Sequence, residues 1–161
     1  MPVRIELVTR LADLPVSMPT RLPNVRLTEW SEVSEAEALD RSDAALAPLA
    51  DEPFARAKCG GKVLSYFAAA IPVVASPVGA QAFMVRHGIT GLVATSGEEW
   101  LSCLTALWTS QPLRRRLGDA GRRFVEENLA AEQHYPQWRA WVLGPNSVTP
   151  GRGHAGHLPA A

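Results

Sequence analysis

The only two lysines of the 161-residue chain flank a glycine pair, in Ala57-Lys58-Cys59-Gly60-Gly61-Lys62-Val63-Leu64-Ser65-Tyr66. A glycine pair that opens a helix lets backbone N–H groups approach an anion, and the helix N-terminus adds roughly half a positive charge. Two ammonium groups at that point would neutralise a phosphate or diphosphate. The segment therefore predicts a phosphate-binding loop ahead of a helix. The same spacing also fits a plain Gly-Gly turn with solvated lysines. It is not a Walker loop, because the two separated glycines before Lys-Ser/Thr are absent.

Other chemistry-bearing residues have plainer readings. His87, before Gly88, reads as a residue at a helix C-terminus that complements the dipole. Cys59 lies beside two lysines, but no histidine is near it in sequence, so a catalytic thiol is not expected. The run Arg114-Arg115-Arg116 with Arg122-Arg123 reads as a solvated helix face offset by Glu126 and Glu127. Gly79 fits a strand-to-helix turn. His154 and His157 lie in a Gly/Pro-rich stretch and read as a stray pair, and no metal-ligand set is evident.

The elements that must position the lysine–glycine segment follow from periodicity and punctuation. Strands are expected at Arg4 to Val8, Val25 to Trp30, Asp43 to Ala47, Pro72 to Ser76 and Ile89 to Ala94. Leu11 to Pro23 and Asp51 to Gly60 read as loops. Helices are expected from Ser31 or Ser34 to Arg41, with Glu37 closing a capping box on Ser34. Further helices are expected over Gly61 to Ala70, Ala80 to Arg86 (ended by Gly88), Glu98 to Trp108, Leu113 to Leu129 and Tyr135 to Leu143. Short strands alternating with helices predict an α/β fold with a parallel sheet, its ligand at the C-terminal ends of the strands. Residues 144–161 read as a disordered tail.

Composition sets the outer bounds. Length fits one domain, and 47% hydrophobic with 20% charged residues excludes wholesale disorder. Sixteen cationic and sixteen acidic side chains cancel, so no broad attraction for nucleic acid or anionic membrane is expected. Two cysteines are too few for a disulfide framework. No apolar run reaches the roughly 18 residues of a membrane span, and no signal peptide is evident, so a cytoplasmic protein is expected.

Taken together, the stretch from Lys58 through Ile71-Pro72-Val73-Val74-Ala75-Ser76-Pro77-Val78-Gly79 resembles the nucleotide-sugar segment of family-4 glycosyltransferases of the GT-B fold. Asp43-Ala44-Ala45-Leu46-Ala47-Pro48-Leu49 is similar to the family's strand and Pro-Leu loop. His87-Gly88-Ile89-Thr90-Gly91-Leu92-Val93, Glu98-Glu99-Trp100 and Leu113 through Arg123 extend the match in the same order. The resemblance implies that residues 1–143 are a C-terminal Rossmann-like donor-binding domain, a parallel sheet with flanking helices. It implies glycosyl transfer, with retention, from a UDP- or GDP-sugar, with no resident cofactor or metal. By position, Gly60, Gly61 and Lys62 would face the diphosphate, Lys58 would support them, and Gly79 with Ala80 would line the sugar cleft. Ser65 stands where many members carry the second Glu of a ribose-binding pair, and the first would fall at Ala57. Residues that act in catalysis are not assigned.

Four positions depart from the pattern. Ser65 offers one hydroxyl in place of a carboxylate, and losing such a charge-assisted contact costs about 1.5–3 kcal/mol. Ala57 offers no hydrogen bond at all. Ala70 replaces a usual Gly, and Phe83 a frequent Glu. The resemblance also implies an N-terminal acceptor domain and a central first strand, between those at Arg4–Val8 and Asp43–Ala47, for which the chain has no sequence. The expectation is thus a fragment, inactive alone, whose link to the inner membrane face, if any, would lie in the missing part. The other reading is a non-catalytic nucleotide-sugar binder or structural remnant.

Overall fold

The structure, a computed structural model, describes residues 3–14 and 23–144. The tail from Pro145, with His154 and His157, lies outside them. In chain order come β1 (Ile5–Thr9), β2 (Val25–Glu29), α1 (Glu32–Arg41), β3 (Ala45–Ala47), α2 (Pro53–Arg56) and α3 (Gly61–Ala68). There follow β4 (Val73–Ala75), α4 (Ala80–Met84), β5 (Leu92–Val93), α5 (Gly97–Thr109), α6 (Gln111–Asn128) and α7 (Ala131–Leu143). Every strand pairing is parallel, as α/β alternation requires.

The strands form two sheets rather than one. β1 pairs with β2, while β3, β4 and β5 form a separate sheet in that order. Their packing differs sharply. β4 is buried along its whole length, whereas no residue of β1 or β2 is fully buried. The core lies around the three-stranded sheet. On one side Val63 and Phe67 of α3 pack with Val73, Ala75, Val85 and Phe124. On the other, Val74, Leu92 and Ala94 meet Cys103 and Leu107 of α5 and Leu117 of α6.

Two glycines let α6 reach this core. A Cβ on Gly118 would lie 2.0 Å from the Ala70 carbonyl oxygen, and one on Gly121 would lie 2.6 Å from the Phe67 ring. They do not break the helix, which runs unbroken from Gln111 to Asn128. Phe124, one turn further on, meets Phe67 edge-on with centroids 6.2 Å apart. Ala70 itself adopts φ +55°, a left-handed conformation that explains why Gly is the easier residue there. Phe83 is also accounted for, since it packs edge-on against Phe124 at 5.9 Å.

Local signals decide the helix starts. Ser31 caps α1, accepting from the Ser34 N–H at 3.0 Å, and the Ser34 hydroxyl accepts from the Ser31 N–H at 2.8 Å. The reciprocal partner is therefore Ser34, not Glu37. Ser96 and Glu99 form the matching box on α5. Ser110 caps α6 ahead of Pro112, where the missing N–H costs nothing. Asp51 to Gly60 is not all loop: Pro53 starts the four-residue α2. The helix at Ala80 ends at Met84, so His87 is not at its terminus; its Nδ1 accepts from the Val93 N–H at 3.0 Å.

Glu6 ties β1 to its neighbours. It accepts from the Thr28 hydroxyl at 2.9 Å and from Arg41 at the end of α1 at 3.0 Å. Burial pushes its carboxyl up, but the Thr28 and Arg41 hydrogen bonds and the Arg charges outweigh that and hold it below its ordinary range. Glu99 is held low by the Thr95 hydroxyl and by the Thr95 and Ser96 amides. A carboxylate with a depressed folded pKa contributes above its unfolded pKa and loses that contribution as pH falls through the folded one. Urea midpoints should therefore hold from pH 7 to about pH 5 and decline below about pH 4; a midpoint unchanged at pH 3 would contradict this. Gly118→Ala should destabilise by about 1–3 kcal/mol, because backbone, not a flexible side chain, meets the new methyl. Denaturant titration of the variant measures it.

Candidate functional site

Parallel α/β sheets place their binding loops at the C-terminal ends of the strands. Here three such segments converge there: Pro48–Glu52 after β3, Ala57–Gly61 before α3, and Ser76–Ala80 after β4. The first and third are locked together. Leu49 donates its N–H to the Ser76 hydroxyl at 3.1 Å, and the Ser76 N–H donates to Ala47 at 3.2 Å. Gln81, buried at the start of α4, sets its side-chain amide against two carbonyls, Ala47 at 3.1 Å and Ser76 at 3.0 Å; two acceptors there require the nitrogen to face them, and we assign the amide that way. This buried amide fixes the mouths of β3 and β4 relative to each other. Sequence reading missed it. Its only signal was a polar residue on the inward side of a short apolar helix.

The glycines bring the remaining loop into register. Gly79 has φ +56° and ψ −136°, a region open essentially to Gly, and a Cβ there would lie 2.7 Å from the Arg56 carbonyl oxygen. It thus seats the end of α2 against the start of α4. Gly60 has φ +73° and abuts Met84 and Ala80 of α4. The chain turns at Gly60 straight into α3, with no side chain capping that helix. The first N–H groups of a helix have no intrahelical acceptor. Those of Gly61 and Lys62 lie at the outset of α3, and both residues are exposed. Gly60 and Gly61 therefore open α3, and Gly60 sits against Ala80, the residue that follows Gly79.

The charged and hydroxyl groups behave less uniformly. Lys62 is exposed in the first turn of α3, beside those N–H groups. Lys58 turns elsewhere: its Nζ lies 5.0 Å from the centroid of the Phe54 ring, a side chain 76% exposed. The Ser65 hydroxyl donates back to the Gly61 carbonyl at 3.4 Å, a long bond that a stronger acceptor would readily displace. Arg56 forms a two-point pair with Asp51, Nε to Oδ1 at 2.6 Å and Nη2 to Oδ2 at 2.9 Å. That pair, in the loop after β3, was absent from the sequence reading. The arrangement can hold an anion through amides and Lys62.

The sequence matches the family model of group 1 glycosyl transferases over residues 8–110. The chain belongs to that family. Among solved structures it is similar to sucrose-phosphate synthase from Thermosynechococcus elongatus, at 22% identity and a TM-score of 0.63. That match covers 75% of this chain and 31% of the other. HepE from Anabaena, solved with UDP, matches at 18% identity and a TM-score of 0.61, covering 75% of this chain and 32% of its own. The same protein with UDP and glucose matches at 16% identity and 0.62, covering 78% and 32%. At these identities the likeness shows the fold, part of a GT-B glycosyltransferase, and this chain spans about a third of each protein. No curated protein matches the sequence. No helix among the described residues is long and apolar enough to cross a membrane.

Replacing Gln81 by Leu would remove the side-chain donor from the Ala47 and Ser76 carbonyls, which keep only the Ser76 and Val78 backbone N–H groups. The expected cost is about 0.5–1.5 kcal/mol, read by denaturant titration, while Gln81→Glu, which removes the donor and adds a buried charge, should cost more. A neutral Gln81→Leu would show that the amide does not hold the two strand ends.

Proposed function

We propose that this chain is the donor-binding part of a retaining glycosyltransferase that uses a nucleoside-diphosphate sugar. One observation carries the reading: Gly60 turns into an uncapped helix whose first amides and Lys62 lie beside Gly79, at the C-terminal ends of β3 and β4. A diphosphate placed there meets amide dipoles and one ammonium group. When the sugar leaves, negative charge develops on that diphosphate, and donors already aimed at it lower the barrier without reorganising. The reading requires no covalent work by a side chain and no resident metal or cofactor. The acceptor would be held by a second domain, which also would carry any attachment to the inner membrane face of a cytoplasmic enzyme. Support for such a domain comes from the span of the chain, 31–32% of the structures it resembles. That HepE was solved with UDP favours a uridine donor over a guanosine one.

A second reading, a non-catalytic nucleotide-sugar binder, has its own observations. Ser65 presents only a hydroxyl, already turned to Gly61, and Lys58 rests on Phe54. Calorimetric titration with UDP-glucose and GDP-mannose separates the outcomes. Binding of the uridine sugar is expected, weakened about tenfold by Lys62→Ala as one charge-assisted contact is lost. Ser65→Glu should tighten binding about tenfold or more, by giving the ribose hydroxyls a carboxylate acceptor. No binding of either sugar by the folded chain would overturn the donor-site reading. Sugar transfer by this chain alone would overturn the need for a second domain.

A further inference from the structure

Helix α6 carries more guanidinium groups than its packing uses. Arg114, Gly118 and Arg122 follow one another at four-residue intervals and so run along one face of the helix. Arg115, seven residues before Arg122, projects to nearly the same side. Gly118 has no side chain and closes against the Ala70 carbonyl, so the row of arginines is interrupted at its centre. A cavity of about 490 Å³ opens there, lined by Ala70 and all three arginines. That size falls within the roughly 300–1,000 Å³ of small-molecule sites. Residues 69–72, which follow α3, form part of its wall, so it lies at the opposite end of α3 from Gly61 and Lys62.

The two walls differ in chemistry. The α6 wall is rich in donors. Arg114 is fixed in place, its Nη1 donating to the Leu107 carbonyl at 2.7 Å and to Trp108 at 3.2 Å. Arg122 uses Nε on Glu126 at 2.8 Å, which leaves both its Nη groups free for a ligand. Arg115 has no hydrogen bond or ion pair among the described residues. The facing wall is rich in acceptors. It carries Asp40 and Asp43, and α1 and α3 both end at it with the negative ends of their dipoles. Asp43 approaches Arg114 only to 3.7 Å, and Asp40, like Arg115, has no partner among the described residues.

A bare anion would be attracted by one wall and repelled by the other. Three guanidiniums face two carboxylates, so the excess charge favours a ligand that is anionic overall. The groups such a ligand turns toward the carboxylates are then neutral donors, that is, hydroxyls. The planar guanidinium fork matches a phosphate through paired hydrogen bonds. We propose that this cavity binds a phosphorylated sugar or polyol, its phosphate on Arg115 and Arg122 and its hydroxyls on Asp40 and Asp43. The site shares no side chain with the lysine–glycine loop, so it stands or falls independently of the donor reading.

The full chain, isotope-labelled and followed by amide NMR, is titrated with ribose 5-phosphate, inorganic phosphate and ribose. Low ionic strength is used because salt screens exposed charges. Ribose 5-phosphate should shift the Ser42, Ala70 and Arg115 amides saturably and bind about tenfold tighter than inorganic phosphate. Arg115→Gln should weaken it about tenfold, as one charge-assisted contact is lost. Asp40→Ala should reduce the preference for the sugar phosphate over phosphate by a similar factor. Both side chains are exposed, so both variants should keep the parent urea midpoint. Lys62→Ala should leave the Ala70 response unchanged. No saturable shift at Ala70, phosphate binding as tightly as the sugar phosphate (an adventitious ion only), or indifference to Arg115→Gln would each overturn the proposal.

Discussion

The close approach of α6 to α3 governs the geometry of everything around the site. Gly118 and Gly121 remove the side chains that would otherwise strike the Ala70 carbonyl and the Phe67 ring. With α6 seated so near, Phe124 reaches Phe67 edge-on and Leu117 fills the opposite side of the sheet. Phe67 and Val63, both fully buried, then fix the roll and height of α3. Its N-terminus, with Gly61 and Lys62, is thereby aimed by packing at the far end of the same eight-residue helix. An anion site made of amides depends on such rigidity, because dipoles favour a charge only where they already point.

The site is correspondingly economical in charge. Of the cations near it, Arg56 is committed to Asp51 and Lys58 lies over Phe54. Lys62 is the cation placed in the first turn of α3. The contrast with α6 is instructive: two of its arginines hold structure, Arg114 donating to the Leu107 carbonyl at 2.7 Å and Arg116 to the Gly88 carbonyl at 2.8 Å. The Arg-rich run therefore braces loops as well as facing solvent. Net charge is balanced over the whole chain, and what differs between faces is how much of each cation is already used.

Much of this was legible from residue types. Gly60 and Gly61 were picked out by their spacing from the lysines and Gly79 by the family resemblance; Gly60 and Gly79 both adopt positive φ values at close contacts. The strand and helix positions followed from periodicity within a few residues. Features that depend on three-dimensional neighbours were not readable. Gln81 looked like any polar residue of a short helix until Ala47 and Ser76 converged on it. Ser34 replaced Glu37 as the capping partner because Ser31, not Ser34, takes the cap. His87 seemed a helix-terminal residue, whereas its ring completes the turn before β5 by accepting from Val93. Lys58 was grouped with Lys62 by sequence, and an exposed aromatic ring drew it away.

The two sheets divide the labour of the chain unevenly. Each residue expected to meet the diphosphate or the sugar lies between Lys58 and Ala80, on elements packed against the three-stranded sheet. β1 and β2 contribute none of them and are tied on by exposed or half-exposed links, chiefly Glu6 to Arg41 and Thr28. Regions with few buried apolar contacts open at lower free energy than the core. Local opening is therefore expected first at β1 and β2, while the glycine turns and the start of α3 stay as rigid as the core on which they pack.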